Sequence, residues 1–269
     1  MKNVLRWLPA ALLLAVACLY TYKLEKPETH TYPATGISAL NAETHSGAIS
    51  VTTSTDTVIT VDVLRYAYGK NETDAEQAIV NVVFSDTIVG GELGVKAEMP
   101  SGSRPYGANF TITAPESIAL SLSTTNGSVS VANTVGDLNA STTNGSVELT
   151  GTSGTASVSS TNGSLAVSVH SGGIEGKTTN GAVDCDLAAL GATDSVGLAT
   201  TNGKVTLLLP ENVSALIEAT NTNGLITIYD YTVTYEIQTE HHLRARIGSG
   251  ASSITITTTN GDVTVRRRS

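Results

Sequence analysis

The chain is 269 residues long, with 14% charged and 4% aromatic residues, two cysteines and a net charge of −9. Phosphate binding needs clustered Lys and Arg. Between residues 105 and 243 only Lys177 and Lys204 stand against a dozen acidic residues, which argues against a nucleic-acid partner, and the abundance of Thr, Ser and Gly describes a β-rich polar surface rather than a helical enzyme.

Residues 1–17 read as an export signal: Lys2 and Arg6 give a positive start, Leu8 to Val16 an apolar run, and Ala15-Val16-Ala17 a small-residue cleavage site. Cys18 follows directly, in an arrangement similar to a bacterial lipobox, in which the new N-terminal Cys carries lipid; Ala15 stands where that motif usually has Leu. Three readings follow: lipid on Cys18, an uncleaved membrane anchor, and simple secretion. The anchor is disfavoured because the apolar run falls short of the roughly 20 residues that span a bilayer. All three place the rest of the chain outside the cytoplasm, in the cell envelope. Residues 18–34, with Lys23, Glu25, Lys26 and Glu28, read as lipid attachment followed by a polar tether. If Cys18 is acylated, Cys185 has no disulfide partner, and its shared parity with Val183 and Leu187 makes it a buried small hydrophobe.

Residues 35–122 form an N-terminal cap with the first rungs of a repeat. Thr44-His45-Ser46-Gly47-Ala48-Ile49-Ser50-Val51 is a degenerate first rung, Val58 to Tyr66 a longer strand, and Thr73 to Ala78 one helical turn capped by Thr73. Ile79 to Phe84 and Leu93 to Ala97 return to strand. Terminal repeats of solenoids differ from the rest because they must close the core against water.

Residues 123–265 carry regular repeats built on Thr-Thr-Asn-Gly. The corner pairs are Asn126-Gly127, Asn144-Gly145, Asn162-Gly163, Asn180-Gly181, Asn202-Gly203, Asn223-Gly224 and Asn260-Gly261, with glycines 18, 18, 18, 22, 21 and 37 residues apart. Asn-Gly tolerates positive φ and so marks a reversal or corner. Between corners, apolar residues alternate with Ser, Thr and Asn, giving two short strands per repeat. Secondary turns fall at Asn133 to Asp137, Gly151 to Gly154 and His170 to Gly173. Hairpins at every Asn-Gly would give a sandwich or barrel, whereas stacked coils give a parallel solenoid. The constant spacing of 18 favours the solenoid, because an in-register stack needs equal rungs. Its thin aliphatic core takes Val129, Val131, Leu138, Val147, Leu149, Leu165, Val167, Val169, Val183, Cys185 and Leu187 on the inward parity.

An insertion at 229–247 interrupts the last repeat. Within it Tyr229, Tyr231, Val233, Tyr235 and Ile237 share one face, as a lid over the solenoid or as a ligand-facing surface. The tail at 266–269, with Arg266, Arg267 and Arg268, blunts the last edge against end-to-end stacking.

The repeated Thr-Thr-Asn-Gly-x-Val rungs, the Phe110-Thr-Ile-Thr-Ala-Pro115 segment, Leu208-Leu209-Pro210 and the closing Ile247-Gly248-Ser249-Gly250 together resemble the bacterial putative-adhesin domain, a β-strand-repeat family of unknown function. The likeness covers roughly residues 35 to 265. It implies an all-β fold, a right-handed parallel β-solenoid (β-helix), in cell-envelope proteins, some linked to envelope stress responses. No catalytic residues carry over.

Nothing in the chain demands chemistry. His241-His242 beside Glu240 is the one cluster resembling metal ligands, but neighbours on a strand point to opposite faces. No Gly-Lys-Ser/Thr completes a phosphate loop. Asp184 and Asp186 share an outward side, as a lyase or hydrolase pair would, yet the equivalents of Asp184 in nearby rungs are Glu148, Ala166 and Thr206, so no acidic cleft is built. The expectation is a non-catalytic, cofactor-free envelope module of adhesin-like or structural type, contacting envelope proteins or glycans. A regulatory module of an envelope stress response is the alternative, and a carbohydrate-active enzyme the remote third.

Overall fold

Alternating apolar and small polar residues become strand almost everywhere in the computed structural model, which describes residues 20–102 and 104–268. The chain opens with β1 (Tyr22–Pro33), β2 (Ala39–Ser46), β3 (Ile49–Ser54), β4 (Val58–Gly69), α1 (Glu72–Ile79), β5 (Val83–Val89), β6 (Glu92–Glu98) and β7 (Tyr106–Pro115). The repeats follow as β8 (Ala119–Asn126), β9 (Val129–Ala132), β10 (Leu138–Asn144), β11 (Val147–Thr150), β12 (Ala156–Asn162), β13 (Leu165–Ser171), β14 (Ile174–Asn180) and β15 (Val183–Ala189). The last part holds β16 (Ser195–Asn202), β17 (Val205–Leu209), β18 (Ala215–Thr220), β19 (Ile226–Ile228), β20 (Val233–Gln238), β21 (His242–Ile247), β22 (Ser252–Asn260) and β23 (Val263–Arg267). The export signal at 1–17 and Cys18 lie outside the described residues.

Each regular repeat sends one strand to each of two sheets, an 11-stranded sheet ordered β1-β4-β7-β3-β9-β11-β13-β15-β17-β23-β19 and a 12-stranded sheet ordered β20-β21-β18-β22-β16-β14-β12-β10-β8-β2-β6-β5. Equivalent positions stack in register and in parallel: Val129, Val147, Leu165, Val183, Val205 and Val263 in one sheet, and Leu120, Leu138, Ala156, Ile174, Val196 and Ile254 in the other. Strands on either side of an Asn-Gly corner thus lie in different sheets, so the corner is not a hairpin. The result is an all-β, solenoid-like stack of mostly parallel strands around one aliphatic core.

Three contacts explain the corner's composition. The first Thr (Ser in one rung) is buried, and its hydroxyl donates to the glycine carbonyl of the neighbouring rung: Thr142 to Gly127 at 2.8 Å, Ser160 to Gly145 at 2.8 Å, Thr178 to Gly163 at 2.8 Å, Thr200 to Gly181 at 2.9 Å and Thr258 to Gly203 at 3.0 Å. The Asn amides form a ladder in the order Asn126, Asn144, Asn162, Asn180, Asn202, Asn260, Asn223, in which each Nδ2 after the first donates to the Oδ1 of the Asn before it at 2.8–2.9 Å. The glycine is needed for closeness. A Cβ on Gly163 would overlap the Gly145 carbonyl oxygen, and Gly127, Gly145, Gly181, Gly203 and Gly261 are in the same position. This corrects the expectation from Asn-Gly turns at six of the seven corners, since none of these six glycines has positive φ, whereas Gly224 has φ 127°.

Rung order departs from chain order at both ends. β22 lies between β16 and β18, and β23 between β17 and β19. The chain therefore lays down an outer rung, extends it by the antiparallel β20–β21 pair, and returns to fill the gap with its final rung. Residues 229–247 are the excursion that this return requires rather than an insertion in a continuous coil. At the other end β2 and β3 sit between β8/β9 and β6/β7, so the degenerate Thr44–Val51 rung is internal, and β6/β7 with β5, β4, β1 and α1 forms the cap.

The stretch read as a polar tether is strand β1, paired antiparallel with β4 along its whole length. An edge strand tolerates the charges and the prolines, Pro27 and Pro33, that made it look unstructured. Its inward residues are held individually: Glu28 pairs with Arg65 at 2.9 Å, and His30 stacks on Phe84 with centroids 4.3 Å apart. Helix α1 starts earlier than expected, with Asn71 as its cap accepting from the Asp74 N–H at 2.9 Å, and it takes in Ile79, which had read as strand.

The second corner contains a further correction. Asn133, Gly151 and Val169, one per rung, all adopt left-handed φ near 60° (61°, 62° and 57°), and the residues after them, Thr134, Thr152 and His170, turn inward and are buried. Val169 therefore does not lie in the core. It is 40% exposed in a bulge of β13, and His170, 1% exposed, takes the inward place.

Three substitutions test these assignments. Gly163→Ala is expected to cost about 3 kcal/mol or more through rung-to-rung overlap, and the neighbouring Asn162→Ala about 1 kcal/mol through lost ladder bonds; equal shifts in urea midpoint would contradict the close-approach account. Val169→Gly, which places the residue of the preceding rung where a β-branched side chain is strained, is expected to stabilise by about 1 kcal/mol. A loss of stability there would show that the left-handed backbone carries no strain.

Candidate functional site

The residues singled out in sequence do not converge on one site. The Asn-Gly corners form an exposed ridge along the stack, in which each amide gives one N–H and one oxygen lone pair to the ladder. Among the tyrosines, β19 ends at Ile228, Asp230 turns with φ 67°, and β20 begins at Val233, which breaks the one-face stripe. Tyr231 closes the end of the core, its hydroxyl donating to the Leu209 and Pro210 carbonyls at 2.8 and 3.0 Å, and burial pushes its pKa up to about 12. Tyr229 is exposed with the Arg266 guanidinium 5.6 Å from its ring centroid, and Tyr235 is exposed on β20.

The other candidates are tied up locally. His241 Nδ1 lies 3.0 Å from Asn221 Oδ1, while His242 Nε2 lies 3.0 Å from Glu218 Oε1. Asp184 faces Lys204 at 3.5 Å and Asp186 faces Arg268 at 3.0 Å, so neither carboxylate is a bare acid. The register partners along the Asp184 row are Glu148, Ala166 and Thr206. Cys185 is buried, and that burial pushes its thiol up to about 12.

A cleft of about 970 Å³ lies where the Asn ridge stops at the N-terminal end of the stack. Tyr66 and Tyr68 of β4, Tyr106 of β7 and Lys23 of β1 line it, together with Arg104, Asn109 and Asn126. β4 runs antiparallel to β7 with Tyr66 opposite Gly107. The Tyr66 ring occupies the space that a Cβ on Gly107 would fill, so the glycine seats the aromatic ring against the sheet. Tyr66 and Tyr68, two residues apart on one strand face, meet edge to face with centroids 6.3 Å apart and planes at 90°.

The polar groups of this cleft are largely donors. Lys23 Nζ lies 4.9 Å from the Tyr66 centroid, and the hydrogen bond it donates to Glu25 raises its pKa, so it remains an ammonium. Arg104 pairs with Asp74 at 2.9 Å. A backbone hydrogen bond from Lys70, then Arg104, holds the Asp74 carboxyl below its usual range. Asn109 Oδ1 accepts from the Ala48 N–H at 2.9 Å, and Asn126 Oδ1 accepts from Asn144 Nδ2 at 2.9 Å. Asn126 Nδ2 reaches only the His45 carbonyl, at 3.5 Å. Both amides thus present N–H groups to the cleft. Sequence reading missed this site because Lys23 comes opposite Tyr68, and Gly107 opposite Tyr66, only through strand pairings that no local pattern announces; the one available signal was the Tyr66-x-Tyr68 spacing.

His170 is the buried titratable group outside that cleft. Its Nδ1 lies 2.9 Å from Thr152 Oγ1 and its Nε2 3.2 Å from the Gly173 carbonyl. Burial lowers its pKa below the ordinary 6.5. With the folded value the lower of the two, the unfolded chain takes up the proton first as pH falls, so the contribution is full above about 6.5 and declines below it. Asp74 and Glu236, whose folded values are also lowered, lose their contributions only in the carboxylate range, as pH falls past about 4. His170→Thr, matching Thr134 and Thr152 of the preceding rungs, is expected to flatten the loss of stability between about pH 7 and 5. Urea midpoints across that range check it, and parallel curves for both proteins would refute it.

The family model described as Toastrack DUF4097 matches residues 29–266, and the chain belongs to that family, as the corner repeats had suggested. No curated protein matches the sequence. Among solved structures the chain is similar to a putative cell adhesion protein from Clostridium sporogenes ATCC 15579, at 14% identity and TM-score 0.37, covering 91% of this chain and 100% of that one. It is also similar to a putative adhesin from Bacteroides fragilis NCTC 9343, at 14% identity and TM-score 0.44, covering 90% and 97%. A third is a putative lipid binding protein from Parabacteroides distasonis ATCC 8503, at 10% identity and TM-score 0.31, covering 90% and 97%.

Proposed function

We propose that this Toastrack-family chain is a non-catalytic binding module of the bacterial cell envelope. In this reading residues 1–17 export it, lipid on Cys18 anchors it, and a right-handed parallel β-solenoid presents a stiff polar surface outside the cytoplasm. The observation that carries the reading is the tyrosine-lined cleft. It is open, aromatic and supplied with amide N–H donors, and its two cations, Lys23 and Arg104, are each ion-paired rather than placed beside a nucleophile. Such a site holds a ligand without transforming it. The paired states of Asp184 and Asp186 support the same view, since a glycoside hydrolase needs one carboxyl free to donate and another free to attack or to activate water.

The test uses the full chain in intact cells. A photo-crosslinking residue at Ser101, on the cleft rim, is expected to capture an envelope component that the same residue at Ser253, on the face of β22, does not. Cys18→Ser is expected to accumulate precursor and to abolish fatty-acid labelling. Equal capture from both positions would remove the cleft from the reading, and unchanged labelling would remove the lipid anchor. Altered stress-gene expression on deletion, with no capture at Ser101, would favour a regulatory module instead.

A further inference from the structure

We infer that the N-terminal cleft takes a neutral oligosaccharide, a ligand class that rests on the binding-module reading and makes it specific. Two features of the geometry select this chemistry. The Tyr66 and Tyr68 rings stand at 90° to each other. A flat aromatic ligand is best held between parallel faces, whereas a puckered ring lays its C–H face on Tyr68 alone, where the negative π face meets positive C–H bonds, because the Tyr66 ring is already held between the Gly107 backbone and Lys23. The donor inventory then asks for a ligand dense in acceptor oxygens. Lys23 Nζ and the Asn109 and Asn126 amides all offer N–H groups at the cleft, and the carbonyl oxygens of both amides are already occupied.

Charge decides between neutral and acidic sugars. Lys23 is paired with Glu25, and Arg104 with Asp74, so each cation in the cleft carries its own carboxylate and no net positive charge is left to attract an anion. A cleft of about 970 Å³ lies at the upper end of the range for ligand sites, room for a short chain of rings rather than one. The site's position fits a polymer end: it opens at the end of the ridge, beside the edge strand β1, where a chain can enter without crossing the stack.

The experiment presents full-length protein in detergent to an array of neutral oligosaccharides (chito-, cello- and malto-oligosaccharides and mixed envelope-type glycans), with oligogalacturonate as the acidic probe. Wild type is expected to retain at least one neutral oligosaccharide. Tyr68→Ala is expected to weaken that binding at least about tenfold, Tyr68→Phe to keep it, and Tyr235→Ala at the far end of the stack to leave it unchanged. The Phe variant keeps the ring and so separates stacking from loss of fold. Retention of no neutral saccharide overturns the proposal, as does binding only of oligogalacturonate that Lys23→Ala abolishes and Tyr68→Ala does not. If the Ser101 crosslink forms in intact envelopes while the array stays blank, the saccharide assignment falls and the binding-module reading stands.

Discussion

The fold depends on the contact between corner glycines of adjacent rungs. Each glycine carbonyl lies against the Cα of the next glycine so closely that no Cβ fits between them. That contact sets the rung spacing at the corner, and the other two corner residues follow from it. A carbonyl so crowded still needs a hydrogen-bond partner when buried, and the Thr or Ser hydroxyl two residues before the Asn supplies it from inside. The Asn amide outside fits because a primary amide is donor and acceptor at once and can bond to its own image above and below. The motif is therefore one solution to a single packing problem, repeated because the problem repeats.

The same contact explains why rung order need not follow chain order. Since every corner presents the same face, any two rungs of this type can be neighbours, and nothing local forbids Asn260 from sitting between Asn202 and Asn223. Both ends of the stack use this freedom. The first rung in sequence, β2/β3, and the last, β22/β23, each have a rung on either side. A rung left on the outside of a stack can fray one strand at a time, whereas one enclosed on both sides must break two ladders to leave. The pairing of β16 with β22, about 58 residues apart, is the entropic cost of that enclosure.

What the sequence discloses and what it hides divide along these lines. The corner columns and the in-register core were legible because identical residues recur at a fixed period. The position of Val169 was not, because counting parity through a strand fails at a bulge, and the left-handed residue there is a Val where its neighbours are Asn and Gly. Rung order was hidden because equivalent rungs carry no label. The β1 strand was hidden by edge chemistry, in which charge and proline serve a paired strand as readily as a free linker. Asn71 was passed over as a helix cap in favour of Thr73 because both are cap formers two residues apart, and only the hydrogen bond to the Asp74 N–H decides between them.

The location of the cleft follows from the same constraint. Along the regular stack the interior is too thin for large aromatic side chains, and the outward Asn row is joined rung to rung as a ladder. Large side chains enter only where the stacking ends. Phe110 is fully buried in β7, next to Phe84 and within the cap. Tyr66 and Tyr68 meet where antiparallel β4 replaces the next parallel coil and the Asn ladder loses its partner at Asn126. Tyr231 does the equivalent at the other end, but its hydroxyl is used by two backbone carbonyls, so that end is sealed and the N-terminal end is left open. A repeat that satisfies itself so completely along its length has no free chemistry there, and recognition has to be built at the boundary where the repetition stops.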